Sequence, residues 1–195
     1  MADERTIHVK LAMADALGCF LISWIAFMVA MIGFDQINFP NFTAVFTISN
    51  WVGIGLLIVA VVAFFNENTL GSAIFGVLGL FFIAFGQGLS GIPGDVFVGD
   101  TYPGTFAVGF VGLLLIVFGV VSLLQPVKLL PILLFVAGIG FFMVALWWQD
   151  QMGDTYEMMM GVFMILTSFL ALYIGMAVTM LTIKGKPVLP LLIKA

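Results

Sequence analysis

The third apolar segment of the chain reads Asn68-Thr69-Leu70-Gly71-Ser72-Ala73-Ile74-Phe75-Gly76-Val77-Leu78-Gly79-Leu80-Phe81-Phe82-Ile83-Ala84-Phe85-Gly86. After its first two residues the segment is apolar on every side, which is typical of a helix in lipid rather than in water. Its glycines allow a neighbouring backbone to approach closely, as membrane helices do. The segment therefore predicts a membrane-spanning helix, and tight packing against a neighbour is the simplest role for it.

The composition extends this interpretation to the whole chain. The 195 residues are 63% hydrophobic and 8% charged, and the mean hydropathy is +1.26. Soluble domains are about 45–50% apolar and about 25% charged, so we predict an integral membrane protein. Six Lys and Arg residues are too few for a nucleic-acid-binding face. The single cysteine, Cys19, cannot form an intrachain disulfide and is expected to be a small core residue.

Six segments are apolar and long enough to cross a bilayer, which takes about 20 helical residues. They cover 11–34, 43–65, 68–91, 105–124, 129–148 and 158–183. The predicted fold is therefore all-α, with six transmembrane helices forming one domain over 11–183. Residues 1–10 form an N-terminal segment, and 184–195 form a tail at the membrane interface.

The charged residues predict the orientation of the helices. With six spans, every basic residue falls on the side of the two termini: Arg5, Lys10, Lys128, Lys184, Lys186 and Lys194. The opposite side carries only acidic residues: Asp35, Asp95, Asp100, Asp150, Asp154 and Glu157. Because basic loops stay on the cytoplasmic side, both termini are predicted to be cytoplasmic.

The sequence gives little sign of internal duplication. Val52-Gly53-Ile54-Gly55-Leu56 resembles Val111-Gly112-Leu113-Leu114-Leu115. Similarity of this kind is expected by chance in chains rich in Gly, Val and Leu, so the sequence shows no convincing internal repeat. A three-plus-three inverted repeat is geometrically possible, but the sequence does not show it.

Asp15 is the sharpest candidate for chemistry, because it is the one ionisable side chain clearly inside a predicted span. Charged groups at such positions are costly and commonly serve as proton relays or ion sites. Asp15 therefore becomes a candidate for proton coupling. The simpler interpretation is a carboxylate solvated near the interface or paired with Lys10, and His8, which precedes the span, is expected to be solvated.

Asn68 and Thr69 precede the third helix, where either side chain can cap the free amide groups of its first turn. The same helix end could hold an anion, but capping alone is the simpler interpretation. Other polar residues could line a path through the bundle: Ser72, Gln87, Ser90, Ser122, Gln125, Thr167, Ser168 and Tyr173. Hydroxyl groups in membrane helices more often bond to their own backbone or to a neighbouring helix. Phenylalanines at helical spacing, such as Phe75 and Phe81, could form a hydrophobic constriction.

The third segment also resembles the third helix of the acetate uptake transporters, also called succinate–acetate permeases. In that family the helix opens with Asn-Thr-aromatic-Gly and continues through Phe, Gly, Phe and Trp. The positions that match in identity and spacing are Asn68, Thr69, Gly71, Phe75, Gly79 and Phe81. The positions that differ are apolar here: Val77 and Leu78 replace a Ser-Tyr pair, Ala63 replaces a glutamate, and Phe82 replaces the tryptophan.

This resemblance implies a six-helix transporter or channel of the plasma membrane that moves small monocarboxylates such as acetate by symport with protons. It also implies a homo-oligomeric ring, with a hexamer as one candidate size. The substrate path would comprise Asn68, Thr69, Ser72, Phe75, Phe81 and Gln87, with Asp15 as the proton-coupling residue.

Two alternatives stay open. One is a channel for small neutral solutes such as urea, short amides or ammonia. The apolar residues Val77, Leu78 and Ala63 suit a neutral permeant better than an anion. The other is a structural membrane protein that transports nothing, which is compatible with the near absence of charged residues inside the spans. We find no metal-ligand cluster, no nucleophile–base pair and no phosphate-binding loop in the sequence, and so predict neither an enzyme nor a bound cofactor.

Overall fold

The computed structural model describes residues 2–37, 41–90, 103–125, 127–147, 154–185 and 188–190. In these ranges the chain forms six helices: α1 (Ala2–Gly33), α2 (Phe42–Phe65), α3 (Thr69–Ser90), α4 (Pro103–Ser122), α5 (Leu129–Trp147) and α6 (Asp154–Lys184). Each helix contains an apolar span of 18 to 29 residues, long enough to cross a bilayer. The chain is a multi-pass membrane protein, and the predicted all-α fold with six spans is confirmed.

Two helices begin four or more residues before their predicted apolar segments. Helix α1 starts at Ala2 rather than at residue 11, although its apolar span begins only at Asp15. Helix α6 starts at Asp154 rather than at residue 158. The first ten residues contain neither Gly nor Pro, so the helix can extend through them although they are polar.

The helices pack as three antiparallel pairs arranged in a ring. Helices α2 and α3 form one pair, α4 and α5 the second, and α1 and α6 the third. The pairs meet one another through α1 and α2, through α3 and α4, and through α5 and α6. The first two pairs are hairpins of neighbouring helices, whereas the third joins the two ends of the chain.

Glycines bring the backbones together inside each pair. A Cβ atom added to Gly53 would lie 2.7 Å from the Gly79 carbonyl oxygen, and one added to Gly112 would lie 2.9 Å from that of Gly138. A Cβ added to Gly33 would lie 2.5 Å from the backbone nitrogen of Gly161. All three pairs therefore depend on the absence of a side chain at the crossing.

These contacts reveal an internal repeat. The same offset along the chain separates Gly53 from Gly112 and Gly79 from Gly138. It also relates other pairs of neighbours: Leu57 against Gly79 corresponds to Ile116 against Gly138, and Ala60 against Gly76 corresponds to Gly119 against Phe135. The interpretation of the similarity between the segments at Val52 and Val111 as chance is therefore wrong. Few positions are identical between the two hairpins at this offset, so the sequence similarity falls to a level that chance also produces.

The repeat places equivalent side chains in the core between the pairs. Leu56 and Leu115 occupy equivalent positions on α2 and α4, and both are fully buried. Phe82 and Phe141 occupy equivalent positions on α3 and α5, and both belong to the main core cluster. The two hairpins therefore contribute equivalent side chains to the core of the ring.

The turn between α2 and α3 is fixed by backbone hydrogen bonds. The Glu67 amide donates to the Phe64 carbonyl at 3.0 Å, and the Asn68 amide donates to the Ala63 carbonyl at 3.0 Å. This is the Schellman arrangement that ends many helices, with the left-handed residue normally a glycine. Here that residue is Glu67, whose φ is 61°. Asn68 follows immediately and directly precedes α3. Its position is therefore fixed by the end of α2 on one side and by the start of α3 on the other.

Replacing Glu67 by glycine is expected to stabilise the protein by about 1 kcal/mol, because a left-handed conformation strains a residue that carries a Cβ. The measurement is the free energy of unfolding in mixed detergent micelles, followed by circular dichroism. Glu67→Ala is the matched control, since it removes the charge but keeps the Cβ. Equal stabilisation by both variants would contradict the backbone explanation.

The described part of the tail returns towards α6. The hydroxyl of Tyr173 donates to the Pro190 carbonyl at 3.0 Å. Tyr173 lies about three helical turns before the end of α6 at Lys184. The tail therefore runs back along this helix after it ends, while the predicted cytoplasmic location of both termini stays a prediction.

Candidate functional site

Asp15 and Asn68 are in direct contact. The side-chain amide nitrogen of Asn68 lies 3.1 Å from one carboxylate oxygen of Asp15 and 3.0 Å from the other. The two residues come from α1 and from the start of α3, and both are half-buried. A hydrogen bond to an ionised group is stronger than one between neutral groups, so this contact fixes α1 against α3.

Asn68 performs two tasks with opposite ends of its side chain. Its oxygen accepts a hydrogen bond from the backbone amide of Gly71 at 3.0 Å, which caps the first turn of α3. The backbone carbonyl of Asn68 accepts the first helical bond, from the Ser72 amide at 2.9 Å. Because capping orients the oxygen towards the helix, the amide nitrogen is turned towards Asp15.

A cavity of about 120 Å³ opens beside this contact. It is large enough for several waters or a small organic molecule, since one water needs about 10–15 Å³. Residues from all three helix pairs line it: Asp15, Cys19, Ile22, Asn68, Gly71, Ile74, Phe75, Gln125, Val127, Leu130, Leu133, Leu134, Ile174 and Val178. We call this the inner cavity. It is an apolar chamber whose polar groups lie at one end.

A second, smaller cavity of about 40 Å³ continues from the inner cavity along the helix axes. The two share Ile22, Leu133 and Leu134 in their walls. The lining of the second cavity presents no polar surface, and we call it the apolar cavity. Its one hydroxyl-bearing residue, Thr167, donates to the Phe163 carbonyl at 2.9 Å.

Phenylalanine rings close the apolar cavity. Phe82 and Phe141 line it, and their ring centroids are 6.2 Å apart. Phe81 packs against both, at 5.3 Å from Phe82 and 5.5 Å from Phe141. Phe85 and Phe46 extend the group towards the end of α3, with centroids 5.5 Å apart. The five rings form an aromatic cluster beyond the apolar cavity.

Polar atoms reappear beyond the aromatic cluster. The Asn50 side-chain oxygen and the Thr105 hydroxyl are buried and have no hydrogen-bond partner among the described residues. The Ser49 hydroxyl donates to the Phe82 carbonyl at 3.3 Å. The bundle thus has polar groups at both ends of α3 and an apolar middle between them.

The structure brings together some of the predicted site residues and separates others. Asp15, Asn68 and Phe75 line the inner cavity, whereas Phe81 belongs to the aromatic cluster. Three other predicted residues do not line the inner cavity: Thr69 is exposed in the first turn of α3, Ser72 is half-buried, and Gln87 is exposed near the other end. The side chains of His8, Lys10 and Ser90 lie outside the described part of the structure.

The remaining hydroxyl groups mostly bond within their own helix. The Ser122 hydroxyl donates to the Gly119 carbonyl at 2.7 Å. The Ser168 hydroxyl instead donates to the Ser23 carbonyl at 2.9 Å, joining α6 to α1. These bonds satisfy the groups structurally, as the simpler interpretation of the sequence expected.

Sequence reasoning missed one contributor to the inner cavity, Cys19, and named another, Gln125, among its candidates. Cys19 is buried, as expected, but it also lines the inner cavity. It lies four residues after Asp15, and this spacing puts both side chains on one face of a helix. The spacing was the sequence signal that could have identified Cys19 as a lining residue. Gln125 was one of many candidate polar residues, and it enters the cavity from the turn after α4. The described part of the chain contains no group of three His, Cys, Asp or Glu residues that could hold a metal ion.

Comparison with known proteins identifies the fold. No family model matches the chain, and no curated protein matches its sequence. A solved structure, the bacterial acetate channel SatP, superposes with a TM-score of 0.70. The match covers 91% of this chain and 97% of that chain, at 17% sequence identity. The two proteins share one fold, which confirms at the level of structure the resemblance predicted from the third helix.

Proposed function

We propose that this protein is a transporter or channel for small monocarboxylates such as acetate, and that Asp15 couples transport to protons. The observation that carries the proposal is the Asp15–Asn68 contact at the polar end of the inner cavity. Support also comes from the fold shared with an acetate channel. The proposed path runs from the inner cavity through the apolar cavity and the aromatic cluster.

The proposed path has a polar entry and an apolar barrier. Thr69 and Ser72, in the first turn of α3, would stand at the mouth, and Asn68 would donate a hydrogen bond to the carboxylate of the permeant. Phe75 and Phe81 would restrict the size of what passes. Gln87 would receive the permeant at the opposite end.

Proton coupling follows from the apolar middle of the path. An ion without polar partners is unfavourable in such a chamber, whereas a neutral acid loses much less on entry. In the proposed step the protonated Asp15 gives its proton to the acetate ion held beside it. Asp15 is left as a carboxylate and acetate becomes acetic acid, which crosses the apolar cavity as a neutral molecule.

The proposal also covers the oligomeric state and the membrane location of the protein. Large apolar side chains are exposed on the outer faces of α2, α4 and α6, and we place these faces against lipid and against further copies of the chain in a ring. We also propose the plasma membrane as the location, with 1–10 and 184–195 on the cytoplasmic side of the 11–183 domain.

The test is uptake of labelled acetate by proteoliposomes at two external pH values, corrected for empty liposomes. Wild-type uptake is expected to rise as the outside is acidified. Asp15→Asn is expected to abolish the rise of uptake on acidification, since an amide cannot donate the proton. Glu67→Gln is the control, because it removes a carboxylate one residue from Asn68 without lining the cavity.

Each outcome has a separate meaning. Wild-type uptake no greater than that of empty liposomes, with insertion verified, would contradict carboxylate transport. Uptake by Asp15→Asn that retains the wild-type pH dependence would contradict the role of Asp15 and leave transport standing.

A further inference from the structure

We infer that the inner cavity selects small neutral molecules that carry a hydrogen-bond donor beside an acceptor, such as acetamide, and that Asp15 excludes free carboxylate ions whenever it is itself ionised. The inference rests on the proposed function, because it names the species that occupies the proposed path. It predicts that primary amides the size of acetate enter the same site without any proton.

The hydrogen-bonding capacity of the site supports this choice. The Asn68 oxygen is occupied by the Gly71 amide, so towards the cavity Asn68 offers its nitrogen alone, as a donor. That nitrogen is nearly equidistant from the two oxygens of Asp15, at 3.0 and 3.1 Å. One N–H therefore lies between the two oxygens, which leaves the second N–H and the outer lone pairs of the carboxylate for a ligand.

A primary amide matches this pair of groups. Its NH₂ can donate to the Asp15 carboxylate while its carbonyl accepts from Asn68. An undissociated carboxylic acid has the same pattern, with its O–H in place of the N–H. A carboxylate ion has acceptors alone, so one of its oxygens would face the oxygens of Asp15 without a hydrogen between them.

Charge reinforces the mismatch for an ion. Asp15 is the one charged side chain among the described residues that line the inner cavity. The nearby ammonium of Lys128 is engaged elsewhere, since it donates to the carbonyls of Leu123 at 2.7 Å and Gln125 at 2.9 Å. Two negative charges about 4 Å apart at a protein surface repel strongly enough to disfavour the ion by about a hundredfold or more.

The cavities impose the same preference. The inner cavity, at about 120 Å³, is large enough for a molecule with few non-hydrogen atoms. The apolar cavity beyond it offers no polar surface to replace the hydration of an ion. A neutral amide can form hydrogen bonds at the polar end of the inner cavity and loses little hydration energy on entering the apolar cavity.

The experiment compares acetamide with acetate at neutral pH, using stopped-flow light scattering of proteoliposomes without a proton gradient. Acetamide flux is expected to exceed that of empty liposomes and to exceed acetate flux by at least about tenfold. Asp15→Asn is expected to reduce this ratio by about tenfold or more, because its side chain can also donate to a carboxylate. Glu67→Gln is expected to leave the ratio unchanged.

The outcomes separate this inference from the proposed function. Proton-dependent acetate uptake without acetamide flux would overturn the inference and keep the proposed function. Acetamide flux without acetate uptake at any pH would overturn the proposed function and support the inference. An unchanged ratio in Asp15→Asn would overturn the role given to Asp15.

Cys19 gives a readout that does not depend on transport. It is the single cysteine of the chain and lines the same cavity. Methyl methanethiosulfonate is used to modify Cys19 in the solubilised protein, and the reaction is followed by mass spectrometry. The rate of modification is expected to fall in the presence of acetamide and not in the presence of acetate at the same concentration. Equal effects of the two solutes, protection by neither, or a failure of this small reagent to reach Cys19 would each overturn the inference.

Discussion

Replacing Asn68 by alanine is expected to destabilise the protein by about 3 kcal/mol, the sum of a lost helix cap and a lost hydrogen bond to a carboxylate. Both interactions come from one side chain: its oxygen caps α3 through Gly71, and its nitrogen holds Asp15. The measurement is the free energy of unfolding by detergent titration, with helix content followed by circular dichroism. Transport is expected to be lost as well, because the carboxylate is no longer positioned beside the inner cavity.

Two further variants separate the roles of Asn68. Asn68→Ser keeps a good capping group and removes the amide, so it is expected to lose about 2 kcal/mol of stability, the part due to Asp15. In an Asp15→Leu background, Asn68→Ala is expected to cost only about 1 kcal/mol, the part due to the cap. An equal cost in both backgrounds would show that the contact with Asp15 contributes nothing to stability.

Replacing Gly33 by alanine is expected to destabilise the protein by about 3 kcal/mol, because the added methyl group overpacks the crossing of α1 and α6. The new atom would lie 2.5 Å from the backbone nitrogen of Gly161 and 2.8 Å from the Glu157 carbonyl oxygen. Both are backbone atoms, which cannot rotate away as a side chain can, so the two helices must separate. The thermal midpoint in detergent and the yield of monodisperse protein would report the change.

Gly76→Ala is the matched control for Gly33→Ala. A Cβ added at Gly76 would meet the Cβ of Ala60 at 3.7 Å, an ordinary van der Waals distance. The substitution is expected to be neutral or slightly stabilising, since alanine favours a helix by about 1 kcal/mol over glycine. Comparable destabilisation by the two substitutions would indicate a general intolerance of these helices rather than a tight crossing.

The number of spans was predictable from the sequence, because length and hydropathy alone decide whether a segment crosses a bilayer. The pairing of the helices was not. Helices that are apolar on every side carry no periodic signal to identify the face that meets a neighbour. The glycines at 53, 79, 112 and 138 were visible, but only the structure shows that they touch in pairs and that the pairs repeat.

The site was predictable in part for similar reasons. The capping role of Asn68 follows from a local pattern, and the structure shows the bond to Gly71. Asp15 was singled out by its unusual position in an apolar segment. Their contact joins residues far apart in the chain, and it depends on how α1 is rotated about its axis. No local pattern fixes that rotation, so the sequence offered the two residues as separate candidates.

The closure of the ring by the two ends of the chain determines the order in which the protein can assemble. The two hairpins join neighbouring segments and can form as each is synthesised. The third pair joins α1 to α6, with Ser23 bonded to Ser168 across 145 residues of chain. Contacts so distant in sequence are late and slow to form. The inner cavity takes its walls from both α1 and α6, so it exists only after the last helix has entered the membrane.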